Sequence, residues 1–219
     1  MDYSTRRTLL EGFADLTGLN FLFHRPCDDE VDPDESVFAS PVEARLVHVG
    51  RIEKGGSLIS KLGRRIDLGE VIEGLDLFSG GFYMNFYLSP KDKHYWRIPY
   101  DSELISIKVN NGKAKIPVIV GLEKFFPRTD FFEKAIKKNA TIGSVFKTKK
   151  FDYAMIAVGS LNVNSIHTVG KGFFKKGEIG GYFSLGSSML LCFPESSGVK
   201  SLVELGAKVD IGERILKLP

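Results

Sequence analysis

Cysteine is scarce in this chain, with two residues, Cys27 and Cys192, among 219. They form neither a CxxC metal pair nor a disulfide framework, so a disulfide-stapled scaffold and a cysteine zinc site are not expected, and a reducing compartment fits best. Histidine is also sparse, at His24, His48, His94 and His167. These histidines are far apart and lack the paired spacing of a zinc-binding helix, so the sequence predicts no metal centre.

Long apolar runs and a marked charge excess are missing as well. No apolar stretch approaches the roughly 18 to 20 residues that a membrane-spanning helix needs, and Glu11 and Asp15 interrupt the N-terminal run, which makes it a poor signal peptide. The net charge of +3, from 30 basic and 27 acidic residues, is too small to indicate a nucleic-acid partner. We therefore expect a protein of the cytoplasm or the cytoplasmic membrane face, with peripheral membrane contact at most.

Several common catalytic motifs are absent too. The chain has no GxSxG elbow, no Walker loop and no strand–GxGxxG–helix unit. The glycines of 170–172 and 177–181 lie between strand-like runs and do not open a helix, so they predict turns and bulges.

Short β-type runs dominate what is present, separated by Gly- and Asn-containing turn signals. The runs are ARLVHVGRI, GGFYMNFYL, ELISIKV, KIPVIVGL, DYAMIAVGSL and SSMLLCF. Helical spacing is seen over 5–17, 66–72 and 130–138. The pattern predicts one α+β domain over 1–219, β-rich and largely antiparallel, with a few flanking helices.

The amphipathic N-terminal helix predicted over 5–17 has Ser4 and Thr5 as candidate caps and Leu9, Leu10, Phe13 and Leu16 on one face. We expect this face to pack on its own domain or on a second subunit, which would make a homo-oligomer. The alternative is a helix that lies on a membrane surface.

One step carries reactive chemistry: Gly186-Ser187-Ser188, between two apolar strand-like segments. A glycine permits unusual backbone angles and leaves its carbonyl open to attack by the next hydroxyl. Such an attack converts the amide to an ester, and β-elimination then leaves a pyruvoyl group at the new terminus. Alone, Gly-Ser-Ser is common and is equally typical of a tight turn into a strand.

The surrounding residues favour the reactive interpretation. The segment KKGEIGGYFSLGSSMLLCF resembles kGeElGyFklGSTvvllF of the phosphatidylserine decarboxylase family. Three blocks match in order: SPVEA at 40–44 is similar to Ser-Pro-x-Asp-Gly, YLSPKDKHYWRIP at 87–99 to YLSPrDYHRvHxP, and AVGSLNVNSI at 157–166 to VGAxxVGSI. The tail at 206–213 also fits, so the resemblance runs from about Arg25 to the C-terminus.

This resemblance implies a self-cleaving carboxy-lyase proenzyme of phospholipid biosynthesis, with the fold of the family. Cleavage between Gly186 and Ser187 would give a β chain of 1–186 and an α chain of 187–219, and Ser187 would become the pyruvoyl group. That group would form a Schiff base with phosphatidylserine, or with a related amino-acid-type substrate, and accept electrons as carbon dioxide leaves. With phosphatidylserine the product would be phosphatidylethanolamine.

The resemblance also implies roles for two residues of the second block. His94 matches the histidine that protonates the carbanion or handles the substrate. Asp92, two residues earlier, is expected on the same strand face.

Departures from the family pattern leave three hypotheses open. Glu43 stands at the family's aspartate, Arg97 at its second histidine, and Asn139-Ala140-Thr141 at its Asn-Glu-Arg block. Glu43 could act as the processing base; alternatively Arg97, which cannot accept a proton, could pair with Glu43 and leave an uncleaved binding or scaffold module. A soluble amino-acid decarboxylase with the same prosthetic group is the third hypothesis. We favour the enzyme because Gly186, Ser187, His94 and Asp92 are all kept.

Overall fold

The structure is a computed structural model. It describes residues 2–6, 12–13, 16–17, 25, 29–112, 116–118, 125–160, 165–184 and 187–219.

Most of the described secondary structure is β-strand. The strands are β1 (Tyr3–Ser4), β2 (Val37–Ala39), β3 (Ala44–Arg51), β4 (Ser57–Ile59), β5 (Arg65–Asp67), β6 (Phe82–Leu88), β7 (Tyr95–Arg97), β8 (Ser102–Asn110), β9 (Thr141–Lys147), β10 (Asp152–Gly159), β11 (Ile166–Thr168), β12 (Phe173–Phe174), β13 (Ile179–Phe183), β14 (Ser187–Phe193), β15 (Lys200–Ser201), β16 (Lys208–Val209) and β17 (Arg214–Lys217). Helix α1 is Phe131–Lys138, and 3-10 turns cover Leu68–Glu70, Leu75–Phe78 and Glu195–Ser197.

An eight-stranded sheet in the order β12-β8-β9-β10-β14-β6-β3-β16 forms the centre of the described fold. A four-stranded sheet, β1-β11-β13-β7, a three-stranded sheet, β15-β17-β2, and the β4-β5 hairpin complete it. The pairings between the strands are antiparallel, for example β14 with β10 and β6. The prediction of a β-rich, largely antiparallel fold is therefore confirmed.

The core lies on both faces of the large sheet. Along β14 the side chains alternate: Met189, Leu191 and Phe193 enter one apolar cluster, and Leu190 and Cys192 enter the other. Because both faces are covered, the run SSMLLCF is buried throughout, which explains why it lacks polar alternation.

Two of the predicted helices can be compared with the structure directly. The helix over 130–138 is confirmed: Asp130 is its N-cap and accepts a hydrogen bond from the Glu133 amide at 2.9 Å. The helix over 66–72 is wrong at its start, because Ile66 lies in β5, pairs with Leu58 and is fully buried. Cross-strand burial outweighs the local helical spacing there.

The N-terminal prediction is wrong where it begins. Thr5 and Arg6 are not helical. Ser4 lies in β1, and Thr5 is bonded to Ile166 twice, through its amide at 3.1 Å and its hydroxyl at 2.9 Å. Gly12, Phe13 and Leu16 are helical. Phe13 is 56% and Leu16 86% exposed, so these two side chains do not pack on their own domain. Leu9 and Leu10 lie outside the described residues.

The strand predicted over 115–122 is also wrong where it can be seen, because 116–118 is not extended sheet. The side chain of Asn139 bonds both backbone groups of Ile116, accepting from its amide at 3.1 Å and donating to its carbonyl at 2.8 Å. These are the groups that a strand partner would use. The rest of that run lies outside the described residues.

Candidate active site

Ser187 is the first residue of β14 and is held by strands on both sides. It is opposite Leu88 of β6 and Gly159 of β10, and it is fully buried. Its Oγ is buried and has no hydrogen-bond partner in the described part of the chain. A buried hydroxyl without a hydrogen-bond partner lowers the stability of the fold by about 1–3 kcal/mol. A group kept at such a cost is a candidate for a functional role, here as a reactive hydroxyl. Gly186 lies outside the described residues.

His94 is brought to the same region by the loop that follows β6. Leu88, the strand partner of Ser187, ends β6, and residues 89–94 then lead into β7. At the far end of this loop, the carbonyl of His94 accepts a hydrogen bond from the Phe183 amide at 2.9 Å, four residues before Ser187. Both ends of the loop are thus tied to residues next to the predicted cleavage point.

The tautomer of His94 is set by the main chain of the loop. Its Nδ1 lies 2.7 Å from the carbonyl oxygen of Asp92, and the ring is fully buried. A carbonyl can only accept, so Nδ1 carries the proton and the basic lone pair of the neutral ring is on Nε2.

Asp92 contacts His94 differently from the prediction. Neither residue is in a strand, since β7 begins at Tyr95, so the expected shared strand face is wrong. The main chain of Asp92 contacts the ring, while its carboxylate accepts from the Ser89 amide at 2.7 Å. In this tight turn the Asp92 amide donates a hydrogen bond to the Ser89 carbonyl at 3.0 Å. The turn therefore directs the carboxylate and the main-chain carbonyl of Asp92 to different partners.

Glu43 is engaged on both of its carboxylate oxygens. Oε2 accepts from the Lys93 amide at 3.1 Å, and Oε1 lies 2.9 Å from the ammonium of Lys208, which also lies 3.3 Å from Asp92. The hydrogen bond to Glu43, followed by the charges of both carboxylates, raises the pKa of Lys208. The tail motif at 206–213 includes Lys208 but assigns it no role, because its contacts depend on β16 pairing with β3.

The hypothesised pair of Arg97 with Glu43 is wrong. Arg97 donates from Nη1 to the carbonyl of Gly177 at 2.9 Å, whereas Glu43 pairs with Lys208. Arg97 is opposite Ile179 of β13, and this register places its side chain at the Gly177 turn.

The other face of β14 carries polar atoms that sequence reasoning missed. Ser188 Oγ, Asn85 Oδ1 and Thr141 Oγ1 are buried and lack a hydrogen-bond partner among the described residues. Asn139 supports this end of the sheet, since its Nδ2 also donates to the carbonyl of Gly159 at 2.7 Å. Two features of the sequence could have indicated these polar atoms: Ser188 is adjacent to Ser187, and Thr141 belongs to the altered block at 139–141.

Neither a metal site nor a membrane-crossing helix is found in the part of the chain that the structure describes. No cluster of three or more His, Cys, Asp or Glu side chains there is arranged to bind an ion. No described helix has the length and apolar character needed to span a bilayer.

Comparison with known proteins agrees with the family resemblance seen in the sequence. The model of the phosphatidylserine decarboxylase family matches residues 18–217. A phosphatidylserine decarboxylase proenzyme of Legionella pneumophila (strain Corby) is 27% identical over 97% of this chain and 82% of its own length. The proenzyme of Hahella chejuensis is 28% identical over 95% and 78%, and that of Bacillus mycoides 27% over 94% and 78%. The family match covers both ends of the site, from Glu43 to Lys208, and the chain belongs to the phosphatidylserine decarboxylase family.

Proposed function

We propose that this chain cuts itself between Gly186 and Ser187 and thereby becomes a pyruvoyl-dependent decarboxylase of phosphatidylserine or a related amino-acid-type substrate. The observation that carries the proposal is the fully buried Ser187 hydroxyl, without a hydrogen-bond partner among the described residues, at the start of a central strand. Membership of the phosphatidylserine decarboxylase family supports a carboxy-lyase activity, and a pyruvoyl prosthetic group is a known feature of this family.

The cleavage needs no reactant beyond the chain and water. Ser187 Oγ attacks the carbonyl carbon of Gly186, the C–N bond breaks, and an ester replaces the amide. Loss of the Ser187 α-proton and of the ester oxygen then releases residues 1–186 with a terminal carboxylate. The dehydroalanine left at position 187 takes up one water and releases ammonia, which yields the pyruvoyl group.

His94 is the residue that we assign to move the Ser187 proton. Its Nδ1–H is directed at the Asp92 carbonyl, so the basic nitrogen of the neutral ring is Nε2. Glu43 is a weaker candidate for the base because both of its oxygens already accept hydrogen bonds. We assign it instead to hold the loop that carries His94.

The site also fits the prosthetic group. Residue 187 is held by the backbone pairing of β14 with β6 and β10, and its side chain is shielded from water. When formed, a pyruvoyl group supplies a carbonyl for Schiff-base chemistry with a substrate amine and an electron sink for decarboxylation.

A phospholipid substrate would require contact with a bilayer, and two exposed aromatic side chains support such contact. Phe125 is 79% and Phe126 54% exposed, and exposed Arg128 follows two residues later. Aromatic and basic side chains together suit an anionic membrane surface.

The second candidate is an uncleaved homologue that serves as a binding or scaffold module. It is favoured by Arg97 at the family's second histidine and by the Lys208 salt bridge that engages Glu43. Arg97 cannot accept a proton, and the carboxylate of Glu43 is already paired with Lys208, so neither Arg97 nor Glu43 is then available as a processing base.

Denaturing electrophoresis and intact mass of the purified chain test the proposal. We expect fragments 1–186 and 187–219, the smaller lacking a free α-amine, while a Ser187→Ala control stays whole. A wild-type chain that remains full-length over days with an intact Ser187 would support the scaffold candidate instead. Carbon dioxide release from phosphatidylserine vesicles, compared with free amino acids, then separates a lipid enzyme from a soluble amino-acid decarboxylase.

A further inference from the structure

Lys208 lies between two mostly buried carboxylates that belong to a distant part of the chain. Its ammonium is 2.9 Å from Glu43 Oε1 and 3.3 Å from Asp92 Oδ1. Two carboxylates brought this close and withdrawn from water would repel each other without a cation. Within the described residues, no cation other than Lys208 forms a salt bridge with Glu43 or Asp92.

The same two carboxylates hold the loop before His94 at two backbone positions. Asp92 accepts from the Ser89 amide at 2.7 Å, and Glu43 accepts from the Lys93 amide at 3.1 Å. Between these points the carbonyl of Asp92 faces the ring of His94 at 2.7 Å. A continuous set of contacts therefore joins Lys208 to the atom that sets the His94 tautomer.

Two neighbouring cations are committed elsewhere. Lys93 forms a salt bridge with Asp29 at 2.5 Å, and Arg45, the strand partner of Lys208, donates to the carbonyl of Gly206. Removal of Lys208 would thus leave Glu43 and Asp92 without a replacement from Lys93 or Arg45.

We propose that Lys208 is a positioning residue for His94: by holding Asp92 and Glu43 together, it keeps the Asp92 carbonyl on Nδ1 and so keeps Nε2 as the basic nitrogen. The role that it supports in self-cleavage rests on the proposed function. Lys208 belongs to segment 187–219, so the contact would join the two fragments after cleavage.

The first experiment reads the ring directly and does not depend on cleavage. In a full-length Ser187→Ala background, ¹⁵N spectra of the histidine rings are recorded at a pH where the ring is neutral, with His94 assigned by its loss in His94→Gln. We expect an Nδ1–H tautomer of His94 in the Ser187→Ala background itself. Lys208→Met should give a mixture of tautomers or the Nε2–H tautomer, and Lys208→Arg should retain the Nδ1–H tautomer. An unchanged His94 tautomer in folded Lys208→Met would overturn the proposal.

The second experiment measures self-cleavage with Ser187 in place. Lys208→Met should cleave about 10- to 100-fold more slowly, since small displacements of a reacting group have effects of that size. Lys208→Arg should stay within a few-fold of wild type, and Lys200→Met, an exposed lysine of the same segment, is the matched control. Equal rates for Lys208→Met and Lys200→Met would contradict the proposal. If wild type does not cleave at all, the proposed function fails, and the ring spectra still decide the role of Lys208.

Discussion

Ser187 and His94 are buried residues whose positions are set by backbone contacts to distant parts of the chain. Ser187 pairs with Leu88 and Gly159, and the carbonyl of His94 bonds to Phe183. Side-chain changes at the two residues should therefore alter chemistry with little effect on the fold.

The first prediction concerns His94. His94→Gln should slow self-cleavage by about 10²- to 10⁴-fold, the usual contribution of a positioned acid–base group. A time course on denaturing gels measures it, with His48→Gln, a half-buried histidine of β3, as the control. Wild-type cleavage in a folded His94→Gln protein would remove His94 from the processing step.

The second prediction concerns the stability of the uncleaved chain. Ser187→Ala removes a buried hydroxyl that has no hydrogen-bond partner among the described residues. The free energy of unfolding in urea should therefore stay the same or rise by about 1 kcal/mol, measured by comparing the double variant Ser187→Ala with His94→Gln against the single variant His94→Gln. A loss of more than about 1 kcal/mol would mean that the hydroxyl makes a stabilising bond.

At the scale of elements, Asn139 connects helix α1 to the site. It follows the helix directly, is fully buried, and bonds the backbone of Ile116 and Gly159, the latter opposite Ser187.

The third prediction follows from these bonds. Asn139→Ala should lower the free energy of unfolding by about 2–3 kcal/mol, because several buried backbone groups lose their partner. Urea denaturation checks this against Lys149→Ala, an exposed position between β9 and β10, where a change below about 0.5 kcal/mol is expected. Equal effects at the two sites would show that the bonds to Ile116 and Gly159 do not stabilise the fold.

The strand runs and helix α1 could be predicted because their patterns are local. Apolar runs such as SSMLLCF, and Asp130 ahead of an amphipathic stretch, identify their own structure. The start of β5 and the 116–118 segment were missed because a cross-strand partner and the Asn139 side chain determine them. Lys208 was missed for the same reason: its two carboxylates are more than a hundred residues away in sequence.

At the scale of the whole molecule, exposed apolar side chains occur beside basic ones. Phe125 and Phe126 precede Arg128, and Arg64 of the β4–β5 hairpin donates to the Arg128 carbonyl at 3.4 Å. The predicted peripheral membrane contact therefore has a specific surface on which it can be tested.

The fourth prediction is that Phe125→Ser with Phe126→Ser lowers co-sedimentation with phosphatidylglycerol-containing vesicles by about tenfold or more, since each buried aromatic contributes roughly 1.5–3 kcal/mol. Added salt should weaken wild-type binding further. Leu205→Ser, 66% exposed elsewhere on the surface, is the control. Equal binding by the control and the double variant would place membrane contact on another surface.

The place of β14 in the middle of the eight-stranded sheet has a consequence for the protein after cleavage. Residues 187–193 pair with β6 and residues 187–192 with β10, so after a cut at Gly186/Ser187 the short fragment still supplies a central strand to the sheet of the long fragment. The fragments should purify as a single particle. Once unfolded, however, they face a bimolecular search for each other in place of an intramolecular one. The cut molecule should then persist through slow unfolding and fail to refold at low concentration, whereas the uncut Ser187→Ala chain refolds.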